Sequence, residues 1–343
     1  GQLQFSGLDI AGDAALDLDA IYQSFLGVSS LNLRNVKINV STKNGSSFSF
    51  INGSASIQKF DQTHFLYINT NMEGSNQQLT LSLEVKGKEL AEIDGRLHID
   101  IPEADYMDLV GALPIYEVTF EELIGGGDFW IHFADGKFAD FTSQIKVDSV
   151  TLYFYEEMPL TLSNIEGLTK LSKTEEGTWE LSLHDMALSW EDSFWRPFNI
   201  FTSLHPNQSL IVQADNLDLA LLSGFALSSG FFSDSVNEQL AQYLPSGQLE
   251  NFSAFIPLAE ESDEHWIIKT NLSDGELSSR GGSPNMWGIN GYAEVDYDIK
   301  AKLVTGLAEI DSDEFSINIP NIFTEVWDYS HVNGNFNYKI DMN

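Results

Sequence analysis

Gln78-Leu79-Thr80-Leu81-Ser82-Leu83-Glu84-Val85 alternates polar and apolar residues without a break. A strand turns successive side chains to opposite faces, so Leu79, Leu81, Leu83 and Val85 share one face and the polar residues share the other. Such a strand buries one side and wets the other, which is the habit of antiparallel sheets. The period recurs in Leu97/Ile99/Ile101, Phe129/Ile131/Phe133, Trp179/Leu181/Leu183, Val295/Tyr297/Ile299 and Phe315/Ile317/Ile319. Their opposite faces carry His98 and Asp100, Trp130 and His132, Glu180 and Ser182, or Asn318.

Turn dipeptides punctuate these runs. Asn44-Gly45, Asn52-Gly53, Asp135-Gly136, Asp274-Gly275 and Asn333-Gly334 all suit a type I′ hairpin, so consecutive hairpins are expected rather than βαβ units. Helical periodicity is confined to short stretches: Leu18 to Leu26, Ala104 to Leu113, and the pair Leu217 to Leu227 and Ser233 to Leu244, the last opening on Ser233-Asp234-Ser235 as an N-cap. Three times an Asp-bearing strand end runs toward such a stretch, at Leu16-Asp17-Leu18-Asp19, Ile99-Asp100-Ile101-Pro102 and Asn216-Leu217-Asp218-Leu219, which reads as a loose internal repeat. The expected organisation is a β segment over 1–216 and a second over 217–343 opened by the helical pair. No low-complexity linker separates them, so one continuous elongated domain fits equally.

Composition narrows the function. The chain has 343 residues, 43% of them hydrophobic and 12% aromatic, enough for an ordered fold with a sizeable apolar face. Its formal net charge is −34, which excludes a nucleic-acid partner and broad docking on an anionic lipid surface. Cysteine is absent, so disulfides, thiolate metal sites and cysteine nucleophiles are excluded. No run of ~18 apolar residues is present to span a membrane as a helix. The chain begins Gly1-Gln2-Leu3, and we expect it to be an excised piece of a longer protein whose targeting segment or anchor lies elsewhere.

Catalytic patterns are wanting. The seven histidines, at 64, 98, 132, 184, 205, 265 and 331, show no metal-ligand spacing, and no metal or cofactor is expected. His98 and Asp100 share a strand face, where a solvated pair is the plain reading. No Gly-x-Ser-x-Gly elbow occurs. Gly125-Gly126-Gly127 precedes a strand rather than a helix, so no helix N-terminus waits for a phosphate. Asp311-Ser312-Asp313-Glu314 lacks the central glycine and distant glutamate of a calcium loop. With so many acids, some carboxylate pair can always be nominated as a glycosidase dyad, so abundance carries no weight.

Taken alone, each alternating strand is an ordinary half-buried strand. Two sheets packed face to face would consume every apolar face, and that sandwich is the default reading.

Several segments resemble AsmA-like envelope proteins, in particular their YhdP branch. Leu31 to Val40 is similar to a strand recurring in that superfamily. Trp179 to Leu188, followed by Trp195, resembles a strand pair of the branch, and Leu244-Pro245-Ser246-Gly247-Gln248-Leu249 resembles its Leu-Pro-x-Gly-x-Leu step. Ser283 to Gly291 resembles a Pro-Gly…Gly-Leu-x-Gly turn, with Asn285 in place of the usual glycine. Phe315-Ser316-Ile317-Asn318-Ile319-Pro320-Asn321-Ile322-Phe323 resembles a Leu-Pro-x-Leu-Phe strand end, and Val332-Asn333-Gly334-Asn335-Phe336 the closing Leu-x-Gly-x-Val. The likeness covers about residues 175 to 340 well and the first half more loosely.

The resemblance implies a mostly β fold, an elongated, curled antiparallel sheet forming an apolar groove with a few short helices. It implies a periplasmic, non-enzymatic protein of Gram-negative bacteria, tethered to the inner membrane through a segment outside this chain and shielding phospholipid acyl chains on their way to the outer membrane. On that reading Leu79, Leu81, Leu83, Val85, Leu97, Ile99, Phe129, Ile131, Phe133, Trp179, Leu181, Leu183, Phe315, Ile317 and Ile319 line the groove. A ligand-free scaffolding protein and a glycan-acting enzyme using paired carboxylates are the rival expectations.

Overall fold

A computed structural model describes residues 18–41, 47–73, 77–107, 118–154, 159–190, 193–206, 208–229, 234–259, 265–278, 284–322 and 325–341. The chain divides into two units, residues 1–153 with 161–173 and residues 154–160 with 174–343. The first half contributes α1 (Leu18–Leu26), β1 (Ser30–Ser41), β2 (Ser47–Phe60), β3 (Thr63–Met72), β4 (Gln78–Lys86), β5 (Asp94–Asp105), β6 (Val118–Ala134), β7 (Lys137–Phe154) and β8 (Leu160–Lys173). The second contributes β9 (Trp179–Trp190), β10 (Ser193–Leu204), β11 (Ser209–Asp218), α2 (Leu219–Ser229), α3 (Asp234–Tyr243), β12 (Pro245–Pro257), β13 (Trp266–Leu277), β14 (Asn285–Asp298), β15 (Leu303–Asn318) and β16 (Trp327–Asp341).

All sixteen strands form one sheet in strict sequence order, β1 through β16, with antiparallel pairing in every register described. Among the described residues β1 and β16 do not pair, so the sheet is not closed into a barrel. The packed sandwich is therefore corrected: among the described residues the strands form one sheet and not two. Only thirteen apolar side chains among the described residues are buried, far too few for a two-layer core in a chain of this length. Most other apolar side chains of the strands are half-buried, and some, such as Leu31, Leu204 and Ile340, are exposed.

The turn dipeptides fare unevenly. Asp135-Gly136 turns β6 into β7 with φ of 49° and 67°, as a type I′ turn requires. Asn52-Gly53 and Asp274-Gly275 sit inside β2 and β13 instead. Their Asn and Asp take φ of 55° and 51° and make bulges, which use the same left-handed conformation as a turn without reversing the chain. Asn333-Gly334 lies in the middle of β16. Asn44-Gly45 falls outside the described residues. The helical expectation from Ala104 fails at its start, where Ala104 and Asp105 finish β5; residues 108–113 fall outside the described residues.

Bulges recur across the sheet. Asn35, Asn52, Asn164, Asp185, Asn251, Asp274 and Glu314 all have φ between 50° and 60° inside strands. A bulge leaves a backbone N–H without its ladder partner, and at Asp185, Asp274 and two neighbouring register shifts the adjacent strand's side chain accepts it. Asp185 N donates to Asn199 Oδ1 (3.0 Å), Asn199 N to Asp215 Oδ1 (2.8 Å), Asp274 N to Asn290 Oδ1 (2.9 Å) and Asn290 N to Ser312 Oγ (2.8 Å). Burial pushes the Asp215 carboxyl up, but hydrogen bonds from Asn199, Asn216 and its own backbone outweigh that and hold it below its ordinary value. Its stabilising contribution is thus present above the ordinary aspartate pKa and lost as the pH falls through the lower folded value.

At the end of β5, Tyr106 donates its hydroxyl to Pro102 O at 2.5 Å. Burial, with the nearby charge of Asp100, pushes its pKa up to about 12 from 10.0. The neutral phenol is the form the fold favours, so stability is full below pH 10 and falls as the pH climbs toward 12. Thermal unfolding followed from pH 9 to 12 should show a shallower loss in Tyr106→Phe than in the parent; identical slopes would mean that Tyr106 is not buried as described.

Candidate ligand-binding face

Cross-strand partners lie on the same face, so the registers trace each face across the sheet. In the first unit one row runs Leu31–Ile57–Leu66–Leu83–Leu97–Ile131 from β1 to β6. The next runs Leu33–Ala55–Ile68–Leu81–Ile99–Phe129. At strand spacings of ~4.8 Å, each row crosses about 24 Å of uninterrupted apolar surface. Phe129 stacks on Phe141 of β7, with ring centroids 6.2 Å apart. The nine residues from Leu79 to Phe133 named from the sequence therefore do share one face.

One end of that face is covered. His64, Val85, Gly95 and Phe133 form its last row, and α1 lies against it. His64 Nε2 donates to Leu26 O (3.1 Å), Tyr22 Oη to Gly87 O (3.1 Å) and Gln23 Nε2 to Lys88 O (2.8 Å), while Phe25 packs on the imidazole at 5.5 Å. His64 and Val85 are accordingly 2% and 3% exposed, so Val85 is packed under the helix while Leu79, Leu81 and Leu83 stay half-buried.

In the second unit a row runs the whole width from β9 to β16: Leu181–Thr202–Val212–Ala254–Ile268–Val295–Gly306–Tyr338. Trp179–Leu204–Leu210–Ile256 and Leu183–Ile200–Ala214–Phe252 flank part of it. Ile317 pairs with Met286 and Trp327, and Phe315 with Tyr329. Ile319 lies just beyond the end of β15. Here α2 does the covering: Asp218 caps it by accepting from Leu221 N at 3.0 Å, and Gly224 sits so close to the Trp190 ring that a Cβ would overlap it. Leu217, Leu221 and Ala226 are buried with Met186.

The residues that sequence reasoning missed, such as Ile57, Leu66, Ile68 and Ile268, sit where the period is masked. Phe65-Leu66-Tyr67-Ile68 is apolar on both faces, and Ser54-Ala55-Ser56-Ile57 has only a small residue at one inward position. These faces are mostly hydrocarbon, with His64, Thr202 and the Tyr338 hydroxyl among their few polar members. Among the described residues no three His, Asp or Glu side chains converge to hold a metal ion. Gly125, Gly126 and Gly127 allow a close approach of neighbouring strands instead of cradling a phosphate: a Cβ at Gly126 would stand 2.5 Å from Ile101 O. His98 bonds to Asp128 (2.9 Å) rather than Asp100, and Asp313 to His331 (3.0 Å).

The family model described as YhdP protein matches residues 6–343. No curated protein and no solved structure matches the chain.

Proposed function

Because the chain belongs to the YhdP family, we propose that it is a segment of a non-enzymatic conduit that shields phospholipid acyl chains between the inner and outer membranes. Membership at the family level suggests an envelope protein related to lipid transport, and the family is not a known enzyme family. The observation that carries the finer reading is the apolar row in each unit, unbroken from β1 to β6 in the first and interrupted by Thr202 in the second, on strands that among the described residues form one sheet and not two. Each buried methylene is worth ~0.8 kcal/mol, so a chain covered on one side gains several kcal/mol in total. Hydrocarbon walls offer no directional contacts, so binding is uniform along the rows and a lipid can shift between positions at little cost. The inner-membrane tether and periplasmic setting belong to the same proposal.

Lipid extracted from chain purified out of a Gram-negative host, with residues 1–343 intact, tests this. Mass spectrometry should find phospholipid at near-stoichiometric amounts. A chain free of lipid, or one that fails to take up phospholipid from mixed detergent micelles, favours the scaffolding reading.

A further inference from the structure

The polar face of the first unit carries a feature that a lipid conduit does not use. A depression of about 660 Å³ lies there, inside the range of small-ligand sites. Two cross-strand rows floor it. One is Tyr67–Ser82–His98–Trp130, running from β3 to β6. The other is Phe65–Glu84–Arg96–His132, continued by Asp140, which bonds to His132 Nδ1 at 3.1 Å. The anomaly is exposed aromatic side chains on a mainly polar face: Phe65, Tyr67 and Trp130, which line the depression, are 40%, 46% and 40% exposed.

The constellation is held in place. His98 is hydrogen-bonded to Asp128 and stacks on Trp130, with centroids 5.0 Å apart and planes 15° off parallel. That contact occupies one face of the indole, and Trp130 lines the depression. Tyr67 stands three strand spacings away, about 14 Å. Between the aromatic ends lie the Ser82 hydroxyl and the opposed heads of Glu84 and Arg96. Among the described residues neither of those heads makes a hydrogen bond or ion pair, although they pair across the strands.

From this we infer that the depression binds a short neutral saccharide laid across β3 to β6. Sugar rings present C–H faces to aromatic rings and hydroxyls that both donate and accept. Glu84 and Arg96 then supply an acceptor and a donor fork to the same ligand. An anion is disfavoured by Glu84, Asp128, Asp140 and the net charge of −34. A hydrocarbon would bury those charged heads unpaired. A proline-rich peptide wants a run of adjacent aromatics, not two ends separated by polar side chains.

Titration of the full chain with N-acetylchitotetraose and with maltotetraose, by calorimetry and tryptophan fluorescence, tests the inference. Saturable binding of one of them is expected. It should weaken at least ten-fold in Trp130→Ala and in Tyr67→Ala and be unchanged in Phe336→Ala, an exposed ring on β16 of the second unit. Ser82→Trp, which fills the floor between the aromatic ends, should abolish binding with the fold intact and with lipid content unaltered, since Ser82 faces away from the apolar rows. Absence of saturable binding by both sugars overturns the proposal. So does binding indifferent to Trp130→Ala and Ser82→Trp, or binding of a proline-rich decapeptide in place of both sugars.

Discussion

Leu81→Asp is expected to strip the chain of lipid while leaving it folded. Leu81 sits in the middle of the row Leu33–Ala55–Ile68–Leu81–Ile99–Phe129 and is half-buried. With no lipid present, a carboxylate there reaches water, so the cost to folding is about 1–2 kcal/mol, as for a partly shielded apolar-to-polar change. With acyl methylenes laid along the row, the same carboxylate must be dehydrated without a partner, at several kcal/mol. Lipid affinity should therefore fall at least 100-fold, read as phospholipid recovered with the purified protein. Leu181→Asp makes the same test in the second unit's eight-strand row. Val85→Asp is the contrast: it lies 3% exposed under α1 and should destabilise the fold itself. If Leu81→Asp retains lipid at the parent level, the apolar rows are not where lipid lies. If it unfolds as Val85→Asp does, Leu81 belongs to a packed core.

The sequence carried this face only where its strands obey the period. Gln78 to Val85 alternates cleanly because both faces of β4 are chemically distinct. Trp179, Leu181 and Leu183 also alternate, but the bulge at Asp185 shifts the phase, and Met186 and Leu188 continue the face on even numbers. Any reading that expects period two to persist loses the face at that point. The same bulges explain the misplaced hairpins, since Asn-Gly and Asp-Gly serve a left-handed backbone in either setting. Whether the apolar faces meet each other or stay bare was not written in local pattern at all. It depends on every strand pairing with its sequence neighbour, a non-local fact. The aromatic depression was hidden for a related reason: Phe65, Tyr67 and Trp130 belong to different strands, and only the register brings them into the same two rows.

Gly291→Val should cost about 3 kcal/mol or more, a large share of the ~5–15 kcal/mol that keeps a domain folded. Gly291 of β14 pairs with Ile310 of β15, which pairs in turn with Gly334 of β16. The two glycines thus occupy one row, yet their surroundings are opposite. A Cβ at 291 would overlap the carbonyl oxygen of Glu309, because the register shift between Trp287 and Gly291 presses the two backbones together beside the bulge. Backbone cannot swing aside as a flexible side chain does, so β14 and β15 must part and the bonds around Asn290 and Ser312 go with them. At 334 a Cβ meets nothing within 4 Å. Gly334→Ala should therefore be neutral or stabilising by up to ~1 kcal/mol, since the substitution restricts the unfolded chain at no cost to the folded one. Denaturant melts of the two variants beside the parent decide the matter. Equal midpoints for Gly291→Val and the parent would show that the bulges are loose irregularities; a deep loss at 291 with none at 334 makes them fixed joints that set how each strand bends.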